Sequence, residues 1–227
     1  MDFKSIFDQL LQSGQQLARQ GKQMAEKGLG VPESGPERDQ MLSNLGKGAA
    51  AGGALALLLG TRWGRRITGP LLKIGGLAAV GALGYTAYKN WQQKNGAEDP
   101  QTRPLDQLDS DAQNQRSELL LKAMISAANA DGHIDDTERA AIENQFGRLE
   151  LSSEHHDYLT RALNAPATAE QIAAQVSSLA EASEVYVTSL LVIDVDNEAE
   201  RQYLKRLSQA MNMPDDLVKQ IEDEANA

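Results

Sequence analysis

"DGHIDDTERAAIENQFGRLELSSEH" (residues 131–155) holds one unit of a helical pattern that recurs in the chain. An acidic turn containing one glycine leads into Ile142, Phe146 and Leu149, which recur at helical spacing and form one apolar face. The same plan returns in "DVDNEAERQYLKRLSQAMNMPDDL" (194–217) with one residue deleted. Asp131 then matches Asp194, Asp135 matches Asn197, Glu138–Arg139 matches Glu200–Arg201, Ile142 matches Leu204, and Leu151 matches Met213. Each copy reads as a helix, an acidic turn and a second helix, so the two turns are expected in related places.

Upstream of the first turn, Leu119, Leu120, Ala123, Met124 and Ala127 share a helical face. Thr168 to Gln171 ("TAEQ") fits a capping box, and Pro214 with Asp215 and Asp216 suits the first turn of a last helix. No strand-like alternation bounded by hairpin turns interrupts this pattern. Residues 110–227 are therefore read as an acidic, compact, all-α bundle of six to seven helices.

Charge separates this bundle from what precedes it. Residues 1–100 hold 12 Lys/Arg against 8 Asp/Glu, whereas residues 101–227 hold 10 against 24. A domain at −14 repels phosphates, so nucleic acid is not an expected partner. The absence of cysteine excludes disulfides, thiolate nucleophiles and zinc–sulfur sites.

Residues 1–27 place Phe3, Ile6, Phe7, Leu10, Leu11, Leu17 and Met24 at helical spacing among Lys4, Asp8, Gln12, Gln15, Arg19 and Lys22. This amphipathic helix could lie on a membrane, against a partner helix or on its own protein. Residues 28–46 and 95–109 are linkers, broken by Gly and Pro.

Between them, residues 47–94 form a Gly/Ala-rich, membrane-associating segment. From Lys47 to Ala97 there is no acidic residue, against seven Lys/Arg. The run 48–60 is too short to span alone, at about 20 Å as a helix against a ~30 Å hydrocarbon core. The run 69–88 has 20 residues and one charge, Lys73, and is long enough, with Tyr85, Tyr88 and Trp91 as an interfacial belt. Gly48, Gly52, Ala56 and Gly60 form a small-x-x-x-small series, continued by Gly76 and Gly84, which permits close helix approach in lipid and allows homo-oligomers. A single span and a hairpin both stay open, as does orientation. The N-terminus carries no secretory signal pattern, because the apolar runs begin too far in.

"AANADGHIDDTE" and "VIDVDNEAERQYLKRLSQAMNMPDDL" resemble the TerB-like domain named after tellurite-resistance proteins. The layout, with a Gly/Ala-rich segment ahead of that domain, resembles the YebE type of bacterial inner-membrane proteins of unknown function. The resemblance implies an all-helical fold, the bacterial inner membrane and a role of the acidic turns in binding divalent metal; it brings no reaction.

The turns themselves admit two readings. In an EF-hand register Asp131 takes position 5, Gly132 position 6, Asp135 position 9 and Glu138 position 12. Position 1 is then Ala127, which supplies no carboxylate, so ordinary calcium affinity is not expected. Asp131, Asp135 and Glu138, joined by Asp194 and Asp196, would make a weak, partly hydrated divalent site. Alternatively Asp135 with Glu138, and Asn197 with Glu200, only cap helix starts. No catalytic residue and no cofactor beyond such a cation is expected: His133, His155 and His156 form no ligand pair, and no nucleophile or phosphate-cradling motif occurs. The expected function is a non-enzymatic, membrane-tethered helical interaction module with a protein partner and its acidic domain in the cytoplasm. The alternative is a weak divalent-metal binder or sensor.

Overall fold

A computed structural model describes residues 2–9, 77–96, 103–130, 151–193 and 198–225. These residues are all helical or irregular, with no strand among them. The helices are α1 (Leu77–Asn95), a 3₁₀ turn (Leu105–Gln107), α2 (Ser110–Ala128), α3 (Ser153–Asn164), α4 (Ala169–Ala173), α5 (Leu179–Val192), α6 (Glu198–Ala210) and α7 (Asp215–Ala225). Residues 3–9 add an N-terminal helical segment.

Local chemistry explains where these helices start. Asp109 accepts from the Ala112 N–H at 2.9 Å to open α2, Ser152 caps α3, and Ser178 caps α5. The expected capping box is present at α4, with Thr168 and Gln171 bonded reciprocally. α6 ends where Asn212 takes a φ of 53°, and α7 opens after Pro214 with Asp215 and Asp216 in its first turn.

α5 is the axis of the body. Its sequence "LAEASEVYVTSLLV" is buried nearly all round: from Ala180 to Ser189 every residue is buried, polar ones included. α1, α2, α6 and α7 pack around it. The expected face of α2 is buried in full, from Leu119 to Ala127.

α1 differs from the sequence reading. Residues 77–94 were expected in the membrane-associating segment, with the helical domain beginning at 110. Instead Val80, Leu83, Ala87 and Tyr88 enter the same core as α5, and the far end of α1 lies along α7. Asn90 donates to Glu224 at 2.9 Å, and Lys94 to Gln220 at 2.6 Å. The physical reason is composition: a helix of small residues with a few large apolar ones suits close approach to a protein helix as well as to lipid. No helix among the described residues is long and apolar enough to cross a membrane. The N-terminal segment packs on its own protein, with Ile6 and Phe7 fully buried.

Candidate functional site

The acidic residues proposed from sequence as metal ligands, Asp131, Asp135, Glu138, Asp194 and Asp196, lie outside the described residues, as do Gly48, Gly52, Ala56, Gly60 and Gly76. Among the described residues no group of three or more His, Asp or Glu is arranged to hold a metal ion. What the structure does place is the pair of helices from which the two acidic turns leave.

These helices, α2 and α5, run parallel. Arg116, in the second turn of α2, meets Glu181 and Glu184 in the first turns of α5. Nearer their other ends, Ser126 of α2 and Ser189 of α5 both lie beside the Tyr203 hydroxyl. Ala130 and Ile193, the last described residues before each turn, therefore stand at the same end of the body. The Tyr203 hydroxyl and Ser189 Oγ are both buried and stand beside one another, while Ser126 donates to the Ala167 carbonyl at 2.6 Å.

The opposite end of the pair holds a buried ionic cluster. Arg116 Nε lies 2.8 Å from Glu181 Oε1, and its terminal nitrogen lies 2.7 Å from Glu184 Oε2. Glu181 is further satisfied by the Ser177 N–H at 2.8 Å and the Ser177 hydroxyl at 2.5 Å. Glu184 is not: its side chain is 1% exposed, and Oε1 has no hydrogen-bond partner among the described residues. Two carboxylates share one guanidinium, leaving one negative charge in excess. Burial pushes the Glu184 carboxyl up to about 7, against the pull of Arg116 and with some help from Glu181.

α1 covers this cluster through glycine. A Cβ on Gly84 would stand 2.7 Å from Glu184 Cα and 2.9 Å from Glu184 N, closer than atoms approach, so only glycine admits this crossing. A Cβ on Gly81 would meet Leu105 at 3.2 Å, with Glu184 Oε1 at 3.9 Å. Gly84, read from sequence as part of a small-residue series permitting close helix approach in lipid, serves close approach to α5. Tyr85 is half-buried with the Lys89 ammonium 5.8 Å from its ring centre. Trp91 stacks on the buried Tyr88 at 6.2 Å, and its indole N–H is buried without a partner among the described residues. Towards α7 a groove of about 330 Å³ is lined by Asn90, Gln93, Lys94 and Gln220.

Sequence reasoning passed over Arg116, Glu181 and Glu184. A signal was available: two carboxylates three residues apart, in a run (179–193) whose other residues are apolar or small and uncharged, mark a buried, paired site rather than a solvated face.

The fold is that of an all-α body built on a buried central helix, and comparison with known proteins gives its family. The family described as "Protein of unknown function (DUF533)" matches residues 44–225, and this chain belongs to it; the family is TerB-like. A Yersinia enterocolitica protein described as "Uncharacterized protein in ampR 5'region" is 33% identical over 111 residues, covering 49% of this chain and 80% of that protein. No solved structure matches the chain.

Proposed function

We propose that the protein is a non-enzymatic, membrane-tethered helical interaction module, an adaptor or scaffold at the bacterial inner membrane whose acidic body recruits a protein partner in the cytoplasm. The seat of α1 carries this reading. The basic Gly/Ala-rich run leads directly into α1, and α1 is joined to α5 at Gly84 and to α7 through Asn90, Lys94 and Asn95. Whatever holds the preceding run therefore holds the body as well. Anionic headgroups suit the basic frame of that run.

Alkaline carbonate extraction tests this, comparing cells that make the full chain with cells that make a deletion of residues 48–76. The deletion must stop before α1, because Val80, Leu83, Ala87 and Tyr88 belong to the core. A pelleted full chain beside a soluble, folded deletion supports the tether; a full chain that washes off sinks it.

A weak divalent-metal site is the second reading, favoured by the parallel course of α2 and α5 towards the two acidic turns. Under it Asp131, Asp135 and Glu138 act with Asp194 and Asp196. Calcium, magnesium or manganese should then raise the melting temperature of the full chain, and Asp131→Asn with Glu138→Gln should abolish the rise. Equal melting with and without each ion would eliminate it.

A further inference from the structure

The N-terminal segment is seated in a groove between α2 and α3. Phe3, Ile6 and Phe7 form one apolar face of the segment, Phe3 meets Tyr158 of α3, and Ile6 and Phe7 retain no exposed surface. Beyond apolar burial, side chains of the groove meet amide groups at the start of the helix, which have no partner within a helix. Asn114 Oδ1 of α2 accepts from the Phe3 N–H at 2.6 Å, and His155 Nε2 of α3 accepts from the Asp2 N–H at 3.4 Å. The Tyr158 ring of α3 stands edge-on to Phe3 at 4.7 Å. Its hydroxyl donates to Glu118 of α2 at 3.3 Å, which holds the ring in place. Asp2 completes the start by accepting from the Ser5 N–H at 3.0 Å.

The segment also carries its own solvent face. Lys4 and Asp8 pair across one turn at 3.4 Å on the outward side. An element with its own cap, polar face and apolar anchors at i, i+3 and i+4 has the form of a helix bound in a groove. Residues 10–76 separate it from α1, a length whose upper reach is about 220 Å, so connectivity does not confine it to its own body.

We propose that the groove between α2 and α3 is a recognition site for the first turns of an amphipathic helix, that residues 2–9 are its built-in and exchangeable ligand, and that the segment of a second copy takes the same seat. Asn114 and Tyr158 are the residues that read the helix start. Tethering in one chain acts as an effective concentration on the order of mM or less, so the cis segment dominates in dilute solution and the second copy competes where chains are crowded.

The test titrates a fluorescent peptide of residues 1–12 against the full chain and against full-length Ile6→Asp/Phe7→Asp, whose own segment cannot dock. The peptide should bind the variant at least tenfold more tightly than the wild type, and adding Asn114→Ala and Tyr158→Ala should remove that gain. Mixing the Ile6→Asp/Phe7→Asp chain with an Asn114→Ala/Tyr158→Ala chain should yield a heterodimer by sedimentation, the first offering a groove and the second a segment. Equal weak binding by both chains overturns the recognition site. So does loss of cooperative melting in Ile6→Asp/Phe7→Asp, since the segment would then be part of the core. Absence of the heterodimer overturns exchange with a second copy.

Discussion

Replacing Glu184 by glutamine should stabilise the protein, and more so as pH rises. In the folded chain the Glu184 carboxyl titrates near 7 against an ordinary 4.5, chiefly because it is buried. A carboxyl raised on folding binds its proton more tightly in the native state than in the unfolded one. Its contribution to stability is therefore full below pH 4.5 and is lost as pH climbs through 7. The difference of 2.5 between these values, at 1.36 kcal/mol each, amounts to about 3 kcal/mol, already net of the attraction of Arg116. Glutamine keeps an oxygen for Arg116 and never ionises, so it escapes this loss. Thermal or urea unfolding of the full chain and Glu184→Gln should agree within about 1 kcal/mol at pH 5 and diverge towards about 3 kcal/mol at pH 8. For a chain of this size that divergence corresponds to about 6–12 °C in melting temperature. A gap between the two proteins that stays constant from pH 5 to 8, or an increase in wild-type stability relative to the variant over that range, would refute the reasoning.

Three further outcomes follow from the same packing. Gly84→Ala should destabilise by about 1–3 kcal/mol in equilibrium unfolding, because its Cβ strikes the backbone at Ser183 and Glu184, whereas Gly81→Ala meets only the Leu105 side chain and Glu184 Oε1 and should stay within about 1 kcal/mol of wild type. Arg116→Met should cost about 3–5 kcal/mol at pH 8, since it strands two buried carboxylates, and Glu184→Gln in that background should recover part of the loss. Tyr203→Phe removes a buried hydroxyl that stands beside Ser126 and Ser189 without a well-formed hydrogen bond, so unfolding should shift by no more than about 1 kcal/mol in either direction.

Much of the α-helical body was legible because its signals are local. The apolar face from Leu119 to Ala127, the capping box at Thr168 and the start of α7 after Pro214 each rest on residues within a turn or two of one another. The candidate site was less legible for the opposite reason. Arg116 lies 65 residues before Glu181, and nothing in the spacing ties a single arginine of α2 to two glutamates of α5. The parallel course of these helices, which brings Ala130 and Ile193 to one end, likewise emerges only from contacts at both ends of the pair.

That the chain is helical, that its second half is acidic, and that a basic, glycine-rich run precedes the helical body can be read from neighbouring positions, because periodicity, capping residues and charge are local properties. What residues 77–95 pack against follows from the folded chain alone. Small residues at four-residue spacing promise close approach between helices without naming the surface approached. In this protein Gly84 meets the backbone of α5, and that crossing buries Glu184 with one carboxylate oxygen unmatched.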